Sequence, residues 1–84
     1  MVKVLYFANL REDLGTAGEE LSLPADVTTV AALRAHLIAR GGAWSSSLAL
    51  GKAVRVAVNQ EMARPDAPVK AGDEVAFFPP VTGG

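Results

Sequence analysis

Hydrophobic and polar residues alternate from the second position onward, in the stretch VKVLYFANL at residues 2–10. Val2, Val4 and Tyr6 fall on one side of an extended chain and Lys3, Leu5 and Phe7 on the other, which predicts a strand. Arg11 to Gly18 mixes charges with two glycines and reads as a loop. Glu19 to Leu23 is expected to pair back as a second strand, with Leu21 and Leu23 inward. Pro24 should end it, since proline cannot donate to a ladder. The spacing then changes. Val30, Leu33, Leu37 and Ile38 recur at helical intervals behind Thr28 or Thr29, either of which can cap the first turn. Arg40 suits the last turn of that helix and Gly41 the residue just beyond it.

Between Gly42 and Gly51, the positions of Trp44, Leu48 and Leu50 predict a short helical turn over one end of the core, although serines at 45–47 weaken the pattern. Alternation returns at Val54 to Val58, with the valines inward and Arg55 and Ala57 outward. Asn59 to Ala63 is expected to turn into a short edge strand. Arg64 to Pro68 holds two prolines and an aspartate and reads as a surface loop. Lys70 to Asp73 is a turn. Glu74 to Phe78 is the last strand, ended by Pro79 and Pro80. By alternation Val75 and Phe77 face the core while Ala76 and Phe78 face away. Phe7 and Phe78 are therefore expected to share the open face of the sheet. A phenylalanine left wet forgoes about 1.5–3 kcal/mol of burial, so two together mark a candidate docking patch. The order strand, strand, helix, strand, short strand, strand predicts an α+β layer, one main helix packed on a mixed sheet of about four to five strands. Pattern alone leaves several topologies open.

The chain has 84 residues, enough for one small domain, and half of them are hydrophobic, enough for one packed core. Residues 1–78 are expected to form that domain and residues 79–84 an extended tail. The formal net charge is −1 and the eight lysines and arginines are scattered, so neither nucleic acid nor a membrane surface is expected as a partner. There is no cysteine, which removes disulfides, thiolate nucleophiles and cysteine zinc sites. Met1 leads straight into the first strand without a basic, apolar leader, and no stretch approaches the ~18 apolar residues of a membrane span. A cytoplasmic protein is expected.

The domain itself offers little chemistry. His36 is the only histidine, on the helix face turned from part of the apolar stripe, and reads as solvent-facing; no sequence constellation supplies it with a nucleophile. The pairs Glu12-Asp13, Glu19-Glu20 and Asp73-Glu74 are adjacent and read as turn and surface carboxylates. No spacing suggests a metal site. Gly15-Thr16-Ala17-Gly18 lacks the Gly-Lys-Ser/Thr of a phosphate loop, Gly41-Gly42 is a helix stop, and Trp44 reads as a cover for the core. An intrinsic active site is not expected.

The end of the chain, VAFFPPVTGG at residues 75–84, is different. Pro79 and Pro80 stiffen the base of a segment that, extended, reaches on the order of 15–20 Å past the sheet. Gly83 and Gly84 carry no side chains, so they can enter a channel too narrow for a Cβ and can adopt backbone angles closed to other residues. A bare glycine carboxylate at the end of such a segment can be presented to another enzyme's active site.

With this tail, the start KVLYFANLRE followed by Gly15, the helix TVAALRAHL at 29–37 and AVNQ at 57–60, the chain resembles the small-subunit family of molybdopterin synthase, over nearly its full length. The resemblance implies a ubiquitin-like β-grasp fold. It implies that Gly84 is adenylated by an ATP-using activating enzyme, converted to a thiocarboxylate with sulfur from a donor protein, and used by the synthase large subunit to build the dithiolene of molybdopterin. Carried over, Gly84 holds the sulfur, Gly83, Thr82, Val81 and Pro80 occupy the large subunit's channel, and Phe78 and Phe7 dock. The assembly implied is a heterotetramer of two small and two large subunits. This chain would bind no cofactor or metal; ATP and the catalytic groups would lie on the partners. Two other readings use the same activated carboxylate: a sulfur carrier for thiamine or tRNA thiolation, and a conjugation tag of ubiquitin type.

Overall fold

The structure is a computed structural model, and it describes residues 1–80. Five strands form one mixed sheet: β1 (Val2–Tyr6), β2 (Gly18–Leu21), β3 (Arg55–Val58), β4 (Glu61–Met62) and β5 (Glu74–Phe78), in the order β2-β1-β5-β3-β4. The central pair β1 and β5 is parallel and every other pairing is antiparallel. Three helices accompany them: α1 (Ala8–Leu14), α2 (Val30–Ile38) and α3 (Gly42–Ser47).

The main helix, α2, begins where expected. The Thr29 side chain accepts a hydrogen bond from Ala32 N at 3.2 Å, satisfying one of the first-turn amides that have no helical partner. Its face of Val30, Leu33 and Leu37 is buried, and it meets the inward residues Val2, Val4, Tyr6, Val56, Val75 and Phe77 in one hydrophobic cluster. Burial alternates strictly along β1 and β5, so a single face of the sheet carries the core. A mixed sheet wrapped on one helix in this strand order is the β-grasp arrangement.

Several details differ from the sequence reading. The first strand stops at Tyr6, and residues 8–14, expected as strand end and loop, are helix. Leu10 and Leu14 stand four residues apart on one helix face; Leu10 is buried and Leu14 packs against the core. Gly15 closes the helix in the left-handed region, at φ 73°, with its amide bonded to the Arg11 carbonyl. Gly18 is needed for a different reason. A Cβ there would lie 2.8 Å from the Val4 carbonyl oxygen, closer than a side chain permits. Leu50, expected over the core, is 79% exposed, while Leu48 is fully buried. His36 is half-buried rather than solvent-facing.

Two acidic residues read as surface groups are structural. Asp73 is buried in the turn before β5, where it accepts hydrogen bonds from Lys70 N at 2.9 Å and Asn59 Nδ2 at 3.1 Å. Glu19 is bound by Arg40 and Tyr6, as described below. Arg34, one of the scattered cations, donates through Nε to the Leu48 carbonyl at 2.8 Å and through Nη2 to those of Ala49 and Lys52 at 2.6 and 3.2 Å. It thereby ties α2 to the loop that leads into β3.

Candidate functional site

The tail candidates Val81, Thr82, Gly83 and Gly84 lie outside the described residues. What the structure positions is the root of the tail and the sheet face beside it. The last strand, β5, runs through the centre of the sheet, paired with β1 on one side and β3 on the other. Its start is clamped: Glu74 N donates to Asn59 Oδ1 at 3.0 Å, and Asn59 N donates to the Glu74 carbonyl at 2.7 Å. Its end delivers the chain to Pro79 and Pro80, both half-buried. The chain therefore reaches Pro79 from a strand paired on both sides, not from a sheet edge.

The core end of β5 is reinforced by aromatic packing. Phe77 stacks on Tyr6 with ring centroids 6.1 Å apart, and Trp44 meets Tyr6 edge-on at 5.3 Å. Tyr6 Oη donates to Glu19 Oε2 at 2.9 Å, and Arg40 holds the same carboxylate with two bonds of 2.8 and 2.9 Å. The Arg40 guanidinium also lies over the Trp44 ring, 4.5 Å from its centroid. Burial, followed by the neighbouring Glu19, pushes the Tyr6 pKa far up, so the hydroxyl stays a donor at any working pH. This is a brace: its hydroxyl, carboxylate and guanidinium are each spent on another member of the cluster.

The outer face of the sheet is apolar along a band. The register places Leu5 beside Ala76, Ala76 beside Ala57 and Ala57 beside Met62. One step nearer the tail, Phe78 pairs with Arg55 on one side. Phe7 follows Tyr6 in extended backbone, its amide bonded to the Phe77 carbonyl at 3.2 Å, which places it next to Phe78 on that same face. Phe7 is 45% exposed and Met62 60% exposed; Phe78 is half-buried between its neighbours rather than open. Phe7 and Phe78 thus lie on the same side of the sheet. Met62, Leu5, Ala57 and Ala76 complete the patch. Met62 was missed because nothing in a two-residue strand shows which way it points; the turn before it settles that. Asn59 and Gln60 both take positive φ, 51° and 69°, in a two-residue hairpin connection that sets Met62 opposite Ala57.

A second feature lies at the tail root. A cleft of about 420 Å³ opens between α1 and α3, with Pro79 in its wall and a polar lining that includes Asn9, Asp13, Ser47 and Lys52. Among the described residues no group of three metal-ligating side chains converges, and no helix is long and apolar enough to cross a membrane.

These features define a ubiquitin-like β-grasp domain with an apolar band on its outer sheet face and its last strand at the centre of the sheet. Residues 4–84 match the ThiS family, and the chain belongs to it. It is 51% identical to the molybdopterin synthase sulfur carrier subunit of Escherichia coli and 45% identical to that of Haemophilus influenzae, in each case over 84 residues covering all of both chains. Among solved structures it superposes on SAMP1 from Haloferax volcanii with a TM-score of 0.78 at 31% identity, covering 99% of this chain and 98% of that one. The resemblance drawn from the tail, the first strand and the helix is therefore supported across the whole length.

Proposed function

We propose that this chain is the sulfur-carrying small subunit of a molybdopterin synthase. Its Gly84 carboxyl is adenylated by an ATP-dependent activating enzyme, converted to a thiocarboxylate by a sulfur donor protein, and spent on the dithiolene within the large subunit, in an assembly of two small and two large subunits in the cytoplasm. The observation that carries this reading is the end-to-end match with two sulfur carrier subunits, at 51% and 45% identity, which covers the whole chain including Gly83 and Gly84. The geometry agrees with it. A centrally paired strand feeds the tail through two prolines, which restrict the free chain beforehand and lower the entropy lost when a partner takes it up. Adenylation turns a poor leaving group into a good one, and the thiocarboxylate supplies a nucleophilic sulfur to a protein with no cysteine. ATP and the catalytic groups belong to the partners, and this chain binds no metal. Pro80, Val81, Thr82 and Gly83 line the channel by which Gly84 reaches the large subunit's site, and Phe78 and Phe7 dock on its surface.

A second reading, a protein modifier, is favoured by the likeness to SAMP1, a small archaeal modifier protein. It uses the same carboxylate but ends on a lysine amide. A reconstituted mixture with ATP, the activating enzyme, a sulfur donor and the large subunit separates the two. The expected result is a protein heavier by one oxygen-to-sulfur exchange on the peptide ending at Gly84, followed by molybdopterin formation. Deleting Gly84 moves the carboxylate by up to ~3.5 Å; since a misplacement of ~1 Å can cost about a hundredfold in rate, product formation should be lost while the fold is kept. Full activity from a protein extended past Gly84, with the extension still attached, would overturn the carrier reading.

A further inference from the structure

A mainly apolar cleft of about 180 Å³ lies between the start of α2 and strands β3 and β4, away from the tail root. Val30 and Val56 form its buried floor, and Leu50 and Met62, two of the most exposed large apolar residues of the chain, stand at its rim. Leu50 is not on a yielding loop. The three bonds from Arg34 to the carbonyls of Leu48, Ala49 and Lys52 fix the loop on both sides of it, and Lys52 N closes back on the Ala49 carbonyl at 2.8 Å. An exposed leucine whose backbone is held this way is presented at a fixed place, and little further ordering is lost when something packs on it.

The size and charge of the cleft narrow its occupant. Pockets for small molecules generally exceed ~300 Å³, so this one suits a single side chain rather than a metabolite. Its charged lining is Arg34 and Arg55, both cationic, in a chain of net charge −1. The groups bonded to Arg34 are neutral carbonyls, which satisfy its donors without offsetting its charge. The apolar surface is also continuous: Met62 stands at the cleft rim and in the band on the outer sheet face, so a protein lying on that face can reach over the β4 edge.

We propose that this cleft receives one bulky apolar side chain, flanked by a carboxylate, from the synthase large subunit, as a second anchor beside the outer sheet face. The proposal rests on the reading of the chain as the small subunit. The large subunit is favoured over the activating enzyme because the cleft rim is continuous, through Met62, with the outer sheet face on which that reading docks the large subunit.

Calorimetric titration of the purified large subunit tests this. Ala31 lies exposed on α2 at the cleft, so Ala31→Trp fills it without entering the core. Ala31→Trp and Leu50→Ser should each weaken binding about tenfold or more, with thermal melts unchanged. Ala31→Glu should weaken it and Ala31→Lys should not, because the flanking group is acidic. Phe78→Ala is measured alongside as a report on the sheet face. Unchanged binding by Ala31→Trp and Leu50→Ser overturns the cleft proposal, and a loss with Phe78→Ala in the same series leaves the subunit reading standing. Equal losses for Ala31→Glu and Ala31→Lys overturn the acidic flank. Losses confined to the activating enzyme overturn the choice of partner, and no binding by the unaltered protein overturns the subunit reading itself.

Discussion

The Tyr6 hydroxyl donates to the Glu19 carboxylate, 2.9 Å away, and through it is joined to Arg40 in the turn just beyond α2. One carboxylate thus ties the first two strands to the turn between α2 and α3, directly beside the Phe77 end of β5. The two partners are not equivalent. Tyr6 is 1% exposed, so its hydroxyl has no water to fall back on, whereas the side chains of Glu19 and Arg40 keep 24% and 30% of their surface. Tyr6→Phe removes the donor and leaves Glu19 paired with Arg40, and should cost about 0.5–1.5 kcal/mol. Glu19→Ala leaves the buried hydroxyl unpaired and should cost more, about 1–3 kcal/mol. Denaturant unfolding of both variants checks the order; a larger loss for Tyr6→Phe would contradict it.

The same carboxylate predicts an acid limit. Arg40, and secondarily the Tyr6 hydrogen bond, hold Glu19 below the ordinary glutamate range against the opposing effect of burial. Asp73 is held low by the Lys70 amide and then by Asn59. A carboxyl whose pKa is lower in the folded protein stabilises it above the unfolded value and loses that contribution as pH falls through the folded one. Melting temperature should therefore be level above about pH 5 and decline below the ordinary carboxylate range of ~3.9–4.3. Glu19→Gln and Asp73→Asn should each lower the plateau and flatten that decline. An acid limb as steep as that of the unaltered protein would show that neither group carries the pH dependence.

Gln60 sits at φ 69° in the β3–β4 turn, where its Cβ is unwelcome. The left-handed conformation costs a non-glycine residue roughly 1–2 kcal/mol, partly offset by the ~0.5–1 kcal/mol of extra chain entropy that glycine loses. Gln60→Gly should therefore stabilise by about 0.5–1 kcal/mol, a rise in melting temperature of a few degrees for a domain of this size. Asn59→Gly, at φ 51°, should instead destabilise, because it removes the side chain bonded to Glu74 N and Asp73. Opposite signs at neighbouring positions are the readout.

Neighbouring phenylalanines give a further contrast. Phe77 is fully buried and Phe77→Ala should cost about 3–5 kcal/mol. Phe78 faces outward and is half-buried, so Phe78→Ala should cost about 1 kcal/mol, roughly half of a full phenylalanine burial. Phe78→Ala and Met62→Ser should leave the fold intact and weaken large-subunit binding. Full affinity in both would remove the outer face from the docking surface.

The strand alternation at 2–6 and 74–78, a threonine cap at 28 or 29, the face of Val30, Leu33 and Leu37, and the stop at Pro79-Pro80 were all legible in the residues, because each depends on neighbours within one helical turn or two strand positions. Helix α1 was hidden for a related reason. It is short and shows only Leu10 and Leu14 toward the core, too few for a periodic signal, and it forms because α3 and β5 lie against it. The family resemblance and the candidate residues of the tail also came from the residues alone, since a terminal Gly-Gly needs no folding to be recognised.

Tertiary structure decided the rest. That β5 lies between β1 and β3, parallel to one and antiparallel to the other, is a matter of long-range pairing that no local spacing encodes. Arg34 and Glu19 were indistinguishable from surface charges in the sequence, because the groups that bind them lie 13 to 21 residues away along the chain. The apolar band from Leu5 to Met62 likewise exists only once the register sets four short residue runs side by side. Hydrophobicity and backbone sterics act between neighbours and can be read in order along a chain; which distant backbone groups share hydrogen bonds is chosen by the packing of the whole core.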